Sequence, residues 1–234
     1  MEEIETLVKD TIQLAEKASE ETSEKTLSII ELITSGGIGG NLVMGTLGIL
    51  SIFAIYILIE RYSTIKKASK EDKSFLKSIQ NFVEAKDIEA AKTLCKNTDS
   101  PISRMIEKGV NRIDKPMTDI SAAIENQGKL EVFKMENNLA NLATISGAAP
   151  MIGFLGTVIG MIVAFHEMAS AGGNIDVAML SQGIYTAMVT TVAGLVVGIV
   201  AFIAYNYLVS KIDKVVFMLE AKTTEFLDLL HHNE

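Results

Sequence analysis

Three stretches of this chain carry no charge and are apolar over nearly their whole length, which leaves the polypeptide few ways to fold. They are "NLVMGTLGILSIFAIYILI" (Asn41 to Ile59), "LATISGAAPMIGFLGTVIGMIVAF" (Leu142 to Phe165) and the run from Val177 to Val209. A bilayer core of ~30 Å is crossed by about 20 helical residues. The first two runs match that length. The third exceeds it and is expected to continue as helix beyond the bilayer, buried against partner helices. No persuasive strand pattern occurs, so the expected fold class is all-α: an integral membrane protein with three transmembrane helices and long helices extending from the membrane.

Charge is segregated along the chain, so the net value of −8 over 234 residues says little about partners. Basic residues follow the first span (Arg61, Lys66, Lys67, Lys70, Lys73, Lys77), precede the second (Lys129, Lys134) and follow the third (Lys211, Lys214). The N-terminal segment is mostly Glu, and the connection between the last two spans holds Glu167 and Asp176 but no Lys or Arg. Positive charge stays on the cytoplasmic side. The N-terminus and the short connection are therefore expected outside, with 61–141 and the C-terminal tail in the cytoplasm. The single cysteine, Cys95, fits a reducing compartment for its segment.

The expected organisation is an outer N-terminal segment (1–38), a first span (39–60), a cytoplasmic helical domain (61–141), a second span (142–166), an outer loop (167–176), a third span (177–209) and a cytoplasmic C-terminal helix (210–234). Within the first segment, "LSIIELI" reads as a short interfacial helix over 26–34, and "GGIGG" at 36–40 as a loop before the span. In the cytoplasmic part, Phe75, Ile79, Phe82 and Val83 share a helix face. Asp87 suits an N-cap and Pro101 a first turn. From Pro116 to Phe165 only Pro150 interrupts the helical pattern, so a rod of about 75 Å is expected.

Small residues form stripes on two spans: Gly153, Gly156 and Gly160 on the second, and Gly183, Ala187, Thr191, Gly194, Gly198 and Ala201 on the third. They let helix backbones approach closely in lipid. Packing of the spans within one chain is one use. Three helices rarely need two such stripes, so packing between copies around an axis is the favoured expectation. Hydroxyls accompany the stripes: Thr144, Ser146 and Thr157 on the second span, and Ser181, Thr186, Thr190 and Thr191 on the third, where Gln182 also lies. A membrane Thr commonly bonds its own backbone carbonyl. It can also hydrate a pathway or donate to a carboxylate from another chain.

The same segments lack any Asp, Glu, Lys, Arg or His from Asn137 to Phe165 and from Val177 to Ser210. Intramembrane carboxylates mark proton relays, so a proton path here needs its titrating group from a partner. His166 sits at the outer end of the second span, as an interfacial residue or as a group titrating near neutrality. His231 and His232 make a poor metal site. No zinc spacing, phosphate loop or nucleophile constellation appears. The expectation is no enzyme, no metal, no cofactor and no nucleic-acid partner.

Three stretches together resemble the MotA/TolQ/ExbB proton-channel family, and its ExbB branch most closely. "SIIELITSGGIGGNLVMGTLGILSIFAIYILIERY" is similar to the family's amphipathic lead, Gly-Gly break, first span and closing Glu-Arg. "DIEAAKTLCKNTDSPISRMIEKG" is similar to its cytoplasmic segment. The second span followed by "GIYTAMVTTVAGLVVGIVAFIAYN" resembles its signature pair. The resemblance implies a multi-pass protein of the bacterial inner membrane, N-terminus periplasmic and C-terminus cytoplasmic, in a homo-oligomeric, pentameric ring. That ring encloses single-span ExbD- or TolR-like partners whose intramembrane Asp carries the proton. Proton motive force would drive ion transport and, through a TonB-like protein, protein transport at the outer membrane. By position, Thr157 and Thr191 match the polar threonines of the pore lining, with Thr186 and Thr190 pointing elsewhere or widening the polar wall. Pro150 matches the family's kink proline. One departure stands out: many ExbB and TolQ proteins carry Glu where this chain has Thr186. TolQ-like or gliding-type output stays open, as does a passive scaffold whose threonines serve packing alone.

Overall fold

The computed structural model describes residues 37–69, 73–170 and 177–232. The expected N-terminal interfacial helix over 26–34, and most of the connection between the last two spans, lie outside the described residues. All regular structure in the described residues is helical. In chain order the helices are α1 (Gly37–Ala68), α2 (Lys73–Glu84), α3 (Ile88–Asn97), α4 (Pro101–Val110), α5 (Met117–Glu136), α6 (Leu139–Ser170) and α7 (Val177–His232). Three stretches are long and apolar enough to cross a membrane, within Gly39–Ala68, Met117–Ser170 and Leu180–His231.

α6 and α7 pack antiparallel, and α1 lies beside both. Contacts set the register: Gly156 lies near Val43 and Thr190, while Tyr62 stacks on Tyr207. Advancing along α1 thus advances along α7, so these two helices run parallel. The membrane part leaves broad apolar faces outward, among them Ile52 (71% exposed), Phe154 (64%) and Val192 (61%). Such faces are stable against lipid or against further helices, not against water.

α7 is one continuous helix of 56 residues, about 84 Å long. A single buried stripe runs down it: Ala187, Thr190, Ala201, Ala204, Leu208, Ile212, Val215, Leu219, Phe226 and Leu230. Steps of three, four and their sums keep these residues on one face. Small residues occupy the membrane end, where backbones meet. Larger ones occupy the other end, where α2, α4 and α5 pack around the helix. There Ile79, Ile106, Ile124 and Phe226 are fully buried.

The short helices begin where local chemistry starts them. Asp87 caps α3, its side chain accepting from the Ala90 N–H at 3.0 Å. Ser100 caps α4 in a reciprocal box with Ser103, and Pro101 occupies the first turn. Phe75, Ile79 and Val83 of α2 are buried and Phe82 is half-buried.

Two expectations are corrected. Residues 37–40 of the "GGIGG" stretch are helix instead of loop, because α1 begins at Gly37. Backbone groups near lipid must be bonded within the segment, which favours helix despite the glycines. The lack of a side chain at Gly39 also lets Ile159 approach: a Cβ there would lie 3.1 Å from its Cγ2. The rod from Pro116 to Phe165 is also broken, but not at Pro150, which lies inside α6. The break is at Asn137 and Asn138, where Asn138 takes φ 63°. Asn tolerates this left-handed conformation better than most residues. It ends α5, and α6 restarts at Leu139.

Candidate functional site

In the membrane part the backbones of α6 and α7 approach closely at Gly153 and Gly194. A Cβ on Gly153 would lie 2.6 Å from the Thr190 carbonyl oxygen and 3.0 Å from the Gly194 Cα. A Cβ on Gly194 would lie 2.6 Å from the Ala149 carbonyl oxygen. Gly156 faces the Thr190 hydroxyl, Gly160 faces Ala187, and Gly198 faces the Pro150 ring. Both stripes are therefore used within one chain, at the α6–α7 joint, instead of facing outward for packing between copies. The Pro150 ring removes the N–H that would bond the Ser146 carbonyl. That carbonyl lies 3.1 Å from where a Gly198 Cβ would stand.

This approach brings hydroxyls of one helix to carbonyls of the other. Thr190 Oγ1 lies 2.7 Å from the Ala187 carbonyl oxygen and 3.1 Å from that of Gly153. Thr191 Oγ1 donates to the Gly153 carbonyl at 3.2 Å. Thr157 Oγ1 reaches the Ala187 carbonyl at 3.1 Å and hydrogen-bonds the Thr191 hydroxyl. Each hydroxyl has one proton to donate and two lone pairs. With their protons committed to carbonyls or to each other, Thr157 and Thr191 keep lone pairs available. A rotation of either hydroxyl exchanges acceptors without moving the backbone.

The four threonines expected to line a pathway divide into three environments. Thr157 and Thr191 are half-buried and joined across the helices. Thr190 is only 2% exposed and lies inside the joint. Thr186 bonds the carbonyls of Gln182 and Gly183 in its own helix, both at 3.1 Å, and is not part of the cluster. Thr144 and Ser146 likewise bond carbonyls of their own helix. The cluster can donate to or accept from a charged or neutral carboxyl placed against Thr157 and Thr191. Its hydroxyls do not titrate near neutral pH, so it carries no proton alone.

Two charged clusters below the spans were not singled out by the sequence reading. Arg61, 6% exposed, donates from Nη1 to the Lys134 carbonyl at 2.9 Å and pairs with Glu60. The break at Asn138 takes away the helical donor of that carbonyl, and the guanidinium replaces it. Further out, Glu131 is 2% exposed on α5. Arg104 holds it from Nε at 3.1 Å and Nη2 at 2.8 Å, with Lys134 at 2.9 Å and Gln127 at 2.8 Å. Burial alone would push the Glu131 carboxyl up, but the bonds from Arg104 and Lys134 outweigh it and hold it below the ordinary value. A signal existed, since Glu131 stands on the buried stripe formed by Ile124, Gly128 and Met135.

Cys95 is buried on α3, and burial pushes its thiol up to about 12. It belongs to the core rather than to reactive chemistry. His166 is exposed near the end of α6. Among the described residues no three His, Cys, Asp or Glu side chains converge into a metal-ligand set.

Comparison with known proteins adds the family. The profile of the MotA/TolQ/ExbB proton channel family matches residues 97–221. A putative biopolymer transport protein ExbB homolog from Methanothermobacter thermautotrophicus is 27% identical over 187 residues, covering 80% of this chain and 64% of the relative. The Tol-Pal system protein TolQ of Pseudomonas aeruginosa is 25% identical over 215 residues, covering 87% of this chain and 93% of the relative. The biopolymer transport protein ExbB of Helicobacter pylori is 40% identical over 79 residues, covering 34% of this chain and 54% of the relative. The match thus spans less than two thirds of both ExbB-named relatives and nearly all of TolQ. The profile takes in the hydroxyl cluster, both glycine stripes and the helix break at Asn138, and with its three apolar spans the chain belongs to the MotA/TolQ/ExbB proton channel family.

Proposed function

We propose that this chain is the multi-span subunit of a proton-driven motor in the bacterial inner membrane, with its basic span ends in the cytoplasm. Copies form a pentameric ring around a single-span, ExbD- or TolR-like partner. The partner's intramembrane Asp carries the proton, and Thr157 and Thr191 receive it as hydrogen-bond partners. The work passes to a TonB-like protein that powers transport at the outer membrane.

One observation carries this reading. The Thr157 and Thr191 hydroxyls meet at the α6–α7 joint, half-buried, inside segments with no Asp, Glu, Lys, Arg or His. A wall of neutral hydroxyls suits a carboxyl that changes charge, because a hydroxyl donates to the carboxylate and accepts from the acid. Thr186 differs, being satisfied within its own helix.

Replacing Thr157 or Thr191 by Val keeps the shape and removes the hydroxyl. A hydrogen bond to a charged group is worth about 1.5–3 kcal/mol. Energy-dependent uptake in strains carrying Thr157→Val or Thr191→Val is therefore expected to fall about 10- to 100-fold. Thr186→Val is expected to stay near wild type. Full uptake in both Thr157→Val and Thr191→Val would refute the assignment.

A TolQ-type output is the second reading, supported by the match along almost the whole of TolQ. It changes the recipient of the work and leaves the hydroxyl wall the same. A passive scaffold or a gliding-type motor would give other outputs, and dependence on the proton gradient separates the scaffold from the rest.

A further inference from the structure

At the basic end of the spans, α1 and α7 present the same short pattern side by side. Tyr62 precedes Lys66 by four residues on α1, and Tyr207 precedes Lys211 by four on α7. Because the helices run parallel, the two pairs face one another. The tyrosine rings stack with centroids 6.4 Å apart and an interplanar angle of 27°. Lys66 Nζ lies 5.9 Å from the centroid of Tyr62, and Lys211 Nζ lies 5.4 Å from that of Tyr207. Below them the helices enclose a cavity of about 200 Å³, to which Ser69 and Lys214 also contribute. Ile65 and Leu208, 3% and 0% exposed, form its apolar floor.

Three lysines thus line one cavity. Among the described residues no carboxylate lies within ion-pair distance of Lys66, Lys211 or Lys214. Glu60, the acidic residue nearest Tyr62 in sequence, is taken by Arg61. Like charges gathered without a counter-ion repel, so the arrangement favours an anion between them. Its position selects which anion. Tyr62 stands just past the first apolar run and Tyr207 at the end of the third, at the depth where aromatic side chains meet lipid headgroups. Basic pockets between membrane helices at this depth suit anionic headgroups.

We infer that the groove between α1 and α7 binds the phosphate of an anionic phospholipid, held by Lys66, Lys211 and Lys214 with the tyrosine pair at its membrane side. The inference rests on the membrane placement of the helices and not on proton transfer, so it can fail while the motor reading stands. Bound there, the lipid would tie α1 to α7 where the spans leave the bilayer.

The test is lipid retention by the full chain, measured by native mass spectrometry after purification from vesicles of equal phosphatidylglycerol and phosphatidylcholine. The wild type is expected to retain phosphatidylglycerol preferentially. Each lysine removed should weaken that preference about fivefold, from roughly 1 kcal/mol per basic residue at a membrane surface. Lys66→Gln, Lys211→Gln and Lys214→Gln combined should abolish it, while the corresponding Arg variants retain it. Lys129→Gln, at an exposed pair with Glu125, should leave it unchanged. The single Lys211→Gln variant, with helical content checked by circular dichroism, serves if the triple variant misfolds. Equal retention of the two lipids would overturn the inference. So would an unchanged preference in the Gln variants, which would show that the three lysines do not hold the lipid. Inorganic phosphate displacing all the lipid at millimolar concentration would reassign the site to a soluble anion.

Discussion

A methyl group on Gly153 would stand 2.6 Å from the carbonyl oxygen of Thr190. At this residue the membrane hairpin has no slack, since the obstacle is backbone and cannot rotate away. Gly153→Ala and Gly194→Ala are expected to destabilise the chain by about 2–3 kcal/mol or more, at the upper end of overpacking costs. Because the hydroxyl cluster depends on that approach, both should also lose transport. Gly45 and Gly147 have no atom within 4 Å of an added Cβ in the chain. Ala there is expected to be neutral or stabilising by up to about 1 kcal/mol in the isolated chain. Thermal unfolding in detergent checks the contrast, and equal effects at all four positions would refute the packing described. If copies pack against Gly45 or Gly147, those variants should change assembly rather than folding, which cross-linking would read.

At the scale of elements, α5 adds a buried charge, Glu131, to the apolar contacts of Ile120, Ile124 and Met135. Removing the guanidinium in Arg104→Ala leaves Glu131 charged and buried with fewer donors, at an expected cost of about 3 kcal/mol. The pH dependence follows from the direction of the Glu131 shift. Its carboxyl is depressed in the folded chain, so its contribution is fully present above the unfolded carboxylate value. That contribution is lost as pH falls from there through the lower folded value. Wild type should therefore lose stability across that acidic window, and Glu131→Gln should lose less of it. Parallel pH profiles for the two would contradict the account. This element also marks where the sequence stops being informative. The existence of α5 and α6 is legible in hydrophobic period, and the starts of α3 and α4 are legible in Asp87 and Pro101. The break at Asn137 and Asn138 is not, because two asparagines inside a helical period carry no stop signal as strong as Gly or Pro. Pro150 misleads in the opposite sense, since lipid and the close contact with Gly198 hold the helix through it. The candidate site is half legible. Residue type and spacing pick out the threonines, but which hydroxyl is spent on its own helix depends on an interhelical distance that Gly153 and Gly194 set. That is why Thr186 and Thr191, five residues apart, end in different environments.

Over the whole molecule, α7 connects the hydroxyl-lined joint among the spans to the helical body beyond them as a single continuous helix. The joint contains no Asp, Glu, Lys, Arg or His, and in the proposed function its proton carrier comes from a partner. The most direct measurement of that claim is proton flux into liposomes under an imposed gradient, for this chain alone and for the chain purified with the single-span, Asp-bearing partner proposed for it. The account predicts flux only in the complex, lost when the partner's Asp becomes Asn and reduced in Thr157→Val. Equal flux from the chain alone would contradict it, because the carrier would then lie within this sequence.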